Sequence, residues 1–205
     1  MPAFNLCGGH AALDLVNTLD DRFSADGPKE LLVDYGELLR FTEQSQLLEA
    51  RQVALLAKSI SPAVAARTLR SVRELREALA AVLYAGVDGR PPPPAAIGIL
   101  ERRFHDASRH RELRWEGSAA SLHGHPGMQW QWGRFAREAE LPLWMLAQAA
   151  SQLTLSNALE QVRACGADNC RWLFLDTSKN HTRRWCDMKV CGNRMKARRF
   201  QARHA

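Results

Sequence analysis

The chain has 205 residues, 46% hydrophobic and 24% charged, enough for one sizeable core plus a small appendage and too apolar for a disordered polypeptide. The net charge of +6 is uneven: residues 161–205 hold eleven Lys/Arg against three acids, and the 160 residues before them hold seventeen against nineteen. Five cysteines, four of them in one C-terminal cluster, argue against a disulfide framework and fit a reducing compartment where thiols bind metal. A signal peptide is not expected, because no basic stretch followed by an apolar run opens the chain. Nor is a membrane span, because the apolar stretch 141–159 carries Gln148, Ser151, Gln152, Ser156 and Asn157. The expected location is cytoplasmic and nucleoid-associated.

In chain order, a short apolar stretch at 4–7 ends at Gly8-Gly9. Ala12, Leu13, Leu15, Val16 and Leu19 then predict a helix over 10–19. After a polar loop, a second helix is expected over 29–43, with Leu31, Leu32, Tyr35, Leu38 and Leu39 inward, and a third over 46–60. Ser61-Pro62 is an N-cap followed by proline at the first helical position, and opens a long helix to Gly86. Four prolines at 91–94 make a stiff connector to a helix over 94–108. Residues 112–117 and 128–133 alternate apolar with polar and predict a small antiparallel sheet of two or three strands. It carries Trp115, Trp130 and Trp132, expected in a core rather than on a ligand platform. A last long helix over 141–164 should run straight into Cys165 and couple the two parts rigidly. The fold class expected is α+β: a mainly helical domain over 1–160 with a small antiparallel sheet, and a second small module over 161–205.

Cys165-x4-Cys170 and Cys186-x4-Cys191 are separated by fifteen residues. Each pair offers two thiolates from one tight loop, and the insert is long enough to bring the pairs face to face. Four sulfurs at a closed site select zinc, one ion in a structural role. Gly166, Asp168 and Asn169 are turn formers that aim backbone amides at the sulfurs. Residues 171–176 read as a strand, 177–180 as a turn and 181–185 as a returning strand. A helix follows from Asp187, with Met188, Cys191 and Met195 toward the metal. Knuckle, hairpin and helix make a treble-clef-like finger. His181 lies between the pairs, but four cysteines already fill the shell. Losing a ligand is expected to melt only the last 45 residues.

Basic residues wrap this helix instead of forming one face. Lys189, Asn193, Lys196 and Arg203 form a stripe with Phe200 among them, Arg194 and Arg198 border the apolar side, and Arg199 falls between. Lys179, Arg183 and Arg184 add cations in the hairpin. Asn beside Lys and Arg on an exposed helix suits base-edge and phosphate contacts, so double-stranded DNA is the expected partner. Neutralising about six phosphates would give a log–log salt slope of roughly −5. Trp172 and Trp185 keep a rival open: exposed, they would stack single-stranded bases, and the module would bind RNA or a protein; buried, they are the finger's small core.

These residues resemble a known family. Arg171-Trp-Leu-Phe-Leu-Asp-Thr-Ser-Lys-Asn180, Arg183-Arg-Trp-Cys-Asp-Met188, Cys191-Gly-Asn-Arg194 and Lys196-Ala-Arg-Arg199 closely resemble the CGNR zinc-finger family. Gly8-Gly-His10 and Leu13-Asp-Leu-Val-Asn-Thr-Leu19 resemble the ABATE domain that precedes such fingers. The resemblance covers essentially the whole chain. It implies a bacterial-type, stress-induced transcription regulator with zinc on Cys165, Cys170, Cys186 and Cys191 and DNA binding through the finger. It implies no particular ligand.

Asp14, Asn17 and Thr18 share one helix face, with His10 four residues before Asp14. With Gly9 they form a candidate ligand pocket for a small-molecule effector; the favoured alternative is a buried hydrogen-bond network. Arg22 is expected to pair with Asp14 or Asp20, and Cys7 to be a small core residue. His10 and Asp14 as an acid/base pair would make an enzyme, but no nucleophile elbow, phosphate loop or second metal cluster accompanies them, so no catalytic residue is assigned. A single small finger binds weakly, which makes a homodimer plausible.

Overall fold

The computed structural model describes residues 3–117, 127–167 and 169–204, with the side chains of Glu116, Arg199, Arg203 and His204 outside the described set. The expected loop over 118–127, apart from Gly127, and the turn role of Asp168 also lie outside it.

Helix α1 (Ala11–Asn17) is the centre of the molecule, and six of its seven residues are buried. Around it stand α4 (Pro62–Val87) and α6 (Leu141–Thr154), with α5 (Pro94–Arg109) packed on both of these. Helices α2 (Tyr35–Gln44) and α3 (Ala50–Ser59) close the other side. Leu13, Leu15, Leu38, Phe41, Leu56, Leu75, Leu79 and Leu146 are fully enclosed. Each contributes about 1.5–3 kcal/mol by leaving water. No helix among the described residues is long and apolar enough to cross a membrane.

Several boundaries differ from the sequence reading. The second helix starts at Asp34, whose Oδ1 accepts the Glu37 amide at 2.8 Å, and not at residue 29. Lys29–Glu30 instead form strand β2 against β1 (Leu19–Asp20). The reason lies in α4: the guanidinium of Arg76, buried to 3% exposure, is held by both carboxylate oxygens of Glu30 at 2.7 Å and also reaches Thr18 Oγ1. A buried cation of this kind requires such a partner.

Strands β3 (Glu112–Glu116) and β4 (Gly127–Gln131) pair antiparallel, with Leu113 opposite Trp130 and Trp115 opposite Met128. The core expectation fails here. Leu113, Trp115, Met128 and Trp130 share one face of a two-stranded ribbon and are 50–67% exposed, because among the described residues no second layer covers that face. Trp132 alone packs against the core.

The last helix of this part also ends early. After Thr154 the chain turns at Ser156, whose Oγ accepts the Ala158 amide, into a 3-10 turn over Asn157–Gln161. Strand β5 (Val162–Ala164) follows and pairs antiparallel with β6 (Leu173–Leu175). Val162, Leu173 and Leu175 belong to the same apolar core as α1, α4 and α6. The tail is thus joined to the helices by a shared core, not by one continuous helix.

Candidate metal centre and its basic surroundings

The β5–β6 hairpin replaces the one expected further on: residues 181–185 form no strand, and the turn of β5–β6 carries Cys165 and Cys170. Asp176, fully buried, is why the next segment is a loop. It accepts the amides of Ser178 and Arg183, both at 3.0 Å, and the Ser178 hydroxyl. These hydrogen bonds, led by that of Ser178, hold its carboxyl below the usual carboxylate range. Asp187 then caps the next turn by accepting the amides of Lys189 and Val190. A π-helical turn over Met188–Gly192 brings Cys191 inward and passes into α7 (Asn193–His204).

The four sulfurs lie within 4.8 Å of one another. Cys170 Sγ is 3.6 Å from Cys186 Sγ, which is 3.7 Å from Cys191 Sγ. A tetrahedral zinc with bonds of about 2.3 Å requires sulfur–sulfur edges of about 3.8 Å, so the donor set fits one zinc ion. The amides of Ala167 and Cys186 point at Cys165, and that of Trp172 points at Cys170. Sulfurs this crowded compete for protons. Hydrogen bonds from Cys170 and Cys186 pull the Cys165 thiol down, while Cys165 in turn holds the thiols of Cys170 and Cys186 up. A divalent cation removes that conflict by stabilising all four thiolates. His181 is outside the cluster, its ring nitrogen 3.0 Å from the Asp176 carbonyl.

The expected nucleic-acid contacts divide into three groups. Lys179, Arg184, Lys189, Asn193, Arg194, Lys196 and Arg198 are exposed. Arg194 also donates to Asn169 Oδ1, and Arg184 lies over the Trp185 ring. Arg183 is used internally. Its guanidinium donates to the carbonyls of Cys7, Leu175, Trp185 and Cys186 and covers the Phe174 ring at 4.3 Å. The side chains of Arg199 and Arg203 lie outside the described residues. Trp172 and Trp185 are half-buried against the sulfur cluster.

The N-terminal motif abuts this centre. Asn17 imitates a strand: its Nδ2 donates to Leu173 O and its Oδ1 accepts Leu173 N, both at 2.9 Å. Asp14 Oδ1 accepts the Gly8 amide at 2.8 Å, and burial pushes its carboxyl up to about 6. A Cβ on Gly8 would stand 2.7 Å from that oxygen, and Gly9 has φ +76°, so both positions favour glycine. His10 Nδ1 caps α1 through Ala12 N, and burial lowers its pKa. Thr18 Oγ1 donates to Leu15 O and accepts from Arg76. Beside Asp14, Asn17 and Thr18 there is a cavity of only about 10 Å³. Arg22 pairs with Glu77, and not with either aspartate expected for it.

Other links were not visible as motifs. Leu175 N donates to Gly8 O, Tyr84 Oη to Arg171 O, and Trp172 Nε1 to Asp20 Oδ1. Each joins residues far apart in the chain, and no local spacing announces them. The Trp172–Asp20 link borders a cleft of about 590 Å³ between the helical part and the metal centre. Its walls include Phe4, Glu37, Arg40, Trp172, Val190 and Arg194, together with Cys170, Cys186 and Cys191.

Comparison with protein families gives two matches. Residues 161–204 match the CGNR zinc finger, and residues 9–157 match ABATE, described as "Putative stress-induced transcription regulator". A comparison with curated proteins gives no match. With its N-terminal motif locked to the strand beside four clustered sulfurs, the chain belongs to the ABATE family and ends in a CGNR zinc finger.

Proposed function

We propose that this protein is a non-catalytic, zinc-dependent DNA-binding transcription regulator, organised as a regulatory segment over 1–160 and a finger over 161–205. The observation that carries this reading is the surface of α7 and the turn before it. There Lys189, Asn193, Arg194, Lys196 and Arg198 are exposed on a helix whose first residues are fixed by a metal ligand, Cys191. A helix presenting amide and cationic side chains suits a DNA groove and its phosphates. The effector site fits better in the cleft of about 590 Å³ than on the His10–Thr18 face, because the polar groups of that face are already bonded and leave little space. An occupant of the cleft would touch both α2 and the start of α7, which is what a sensing role requires. A homodimer presenting two such helices completes the reading.

The test is a fluorescence-anisotropy titration of zinc-loaded protein against mixed-sequence duplex DNA at several salt concentrations. Lys189→Ala and Lys196→Ala are each expected to weaken binding uniformly and to reduce the salt slope by about 1, with zinc content unchanged. Wild-type binding to duplex no tighter than to an uncharged control would sink the DNA reading. Tighter binding to single-stranded RNA would favour the RNA alternative. Sedimentation of the free protein tests the dimer.

A further inference from the structure

The cysteine outside the zinc motif is not a separate core residue. Cys7 packs against the cluster formed by Cys165, Phe174, Cys186 and Cys191. Its thiol lies within hydrogen-bonding reach of the Cys186 sulfur. The two backbones are pinned together as well: one nitrogen of Arg183, Nη2, donates both to the Cys7 carbonyl at 3.1 Å and to the Cys186 carbonyl. The next residue, Gly8, accepts Leu175 N at 2.8 Å and gives its own amide to Asp14. A fifth sulfur is thereby held beside one particular zinc ligand by contacts that do not involve the metal. On another side, Cys186 borders the cleft of about 590 Å³ between the helical part and the finger, a route by which a small solute reaches it.

We propose that Cys7 and Cys186 form a redox pair, in which a hydroperoxide oxidises Cys186 and Cys7 resolves it as a disulfide, freeing the zinc site of one ligand. A thiolate beside a second thiol is the arrangement that peroxide-reactive cysteines use; Cys186 is only 3% exposed, and the wall it gives to the cleft is the side a small hydroperoxide reaches. In the first step Cys186 S⁻ attacks one peroxide oxygen and the O–O bond breaks. The product is Cys186–SOH, and the leaving alkoxide takes a proton to become an alcohol. In the second step Cys7 attacks the sulfenic sulfur, the S–O bond breaks and water leaves with the thiol proton. Two sulfurs are oxidised by two electrons in total, and the hydroperoxide is reduced to alcohol and water. Three thiolates remain at the metal, which binds less tightly and opens the turn that sets the start of α7. The inference rests on the zinc centre and is independent of what α7 binds.

The experiment uses full-length, zinc-loaded protein treated with hydrogen peroxide. Released zinc is followed with a chromophoric chelator, and disulfides are mapped by mass spectrometry of peptides under non-reducing conditions. The expected result is one zinc equivalent released together with a Cys7–Cys186 linked peptide, both reversed by dithiothreitol and added zinc. Cys7→Ala is expected to hold one zinc equivalent before treatment. After treatment it should lose at least half of that reversibility, as Cys186 advances to the sulfinic acid. Disulfides confined to Cys165, Cys170, Cys186 and Cys191 in the wild type, with Cys7 still reduced, would overturn the proposal. So would a Cys7→Ala protein that releases and regains zinc as the wild type does. Absence of zinc from the untreated protein would instead count against the metal assignment, and is read separately by metal analysis before peroxide is added.

Discussion

In residues 11–154, apolar side chains bury one another: Leu13, Leu15, Leu75, Leu79 and Leu146 have no exposed surface. In residues 161–204, Val162, Leu173 and Leu175 point into that same helical core, and beneath the finger there remain Phe174, Ala167 and sulfur. The first region is held by area removed from water. The second is held by a metal-sized cluster and by what it borrows from the first. The difference shows that the finger is not a detachable module. Its strand β6 is hydrogen-bonded to Asn17, and its knuckle is held by Tyr84 and by the Arg171–Asp88 ion pair. The expectation that losing a zinc ligand melts only the last 45 residues is replaced by one in which the damage reaches the shared core.

The largest test of this contrast is Cys165→Ser. A structural zinc of this type contributes on the order of ten kcal/mol. The variant is expected to lose its zinc by metal analysis, and its calorimetric trace should shift the main unfolding transition down. A main transition left in place, with only a small separate one lost, would restore the picture of two independent units.

Asn17→Ala tests the seam directly. It leaves the Leu173 amide and carbonyl without partners in a buried place, at a cost of about 2–5 kcal/mol for the two groups. Urea unfolding of the zinc-loaded variant is expected to show that loss, with zinc content unchanged. A change under about 0.5 kcal/mol would mean the seam carries no weight.

Asp14→Asn is the smallest and the most directional. Burial raises the folded pKa to about 6, above the ordinary aspartate value of 3.8, so the folded state binds the proton more tightly. That contribution is fully present below about pH 4 and is lost as pH rises through 6. The uncharged variant is therefore expected to gain about 2–3 kcal/mol over wild type at pH 7, with the gain fading toward pH 4. Taking the difference between the two proteins cancels acid release of zinc, which both share. An equal difference at both pH values would show that Asp14 is ionised at no cost.

Much was legible in the sequence. The helix over 62–87 was readable from Pro at its first position and apolar residues at spacings of three and four, and the one over 94–109 from the proline run that precedes it. The β3–β4 pair followed from alternation. The zinc ligands followed from spacing and turn residues alone, because a four-sulfur shell depends on few residues close in sequence. What failed depended on partners distant in sequence. Glu30 belongs to a strand because Arg76, 46 residues on, needs its carboxylate. The ribbon's alternation showed that one face is apolar, but whether another layer covers it is a tertiary matter, and among the described residues none does.

The sequence by itself determined the helical body, the metal and the charged last helix, since periodicity, ligand spacing and charge are properties of neighbours along the chain. Tertiary structure alone decided three things: that Arg183 serves carbonyls instead of phosphates, that Asn17 completes the edge of a finger strand, and that Cys7 stands beside Cys186. Each depends on how closely two segments more than 150 residues apart approach, or on which carbonyls a loop leaves unpaired. Only the packed chain sets those distances.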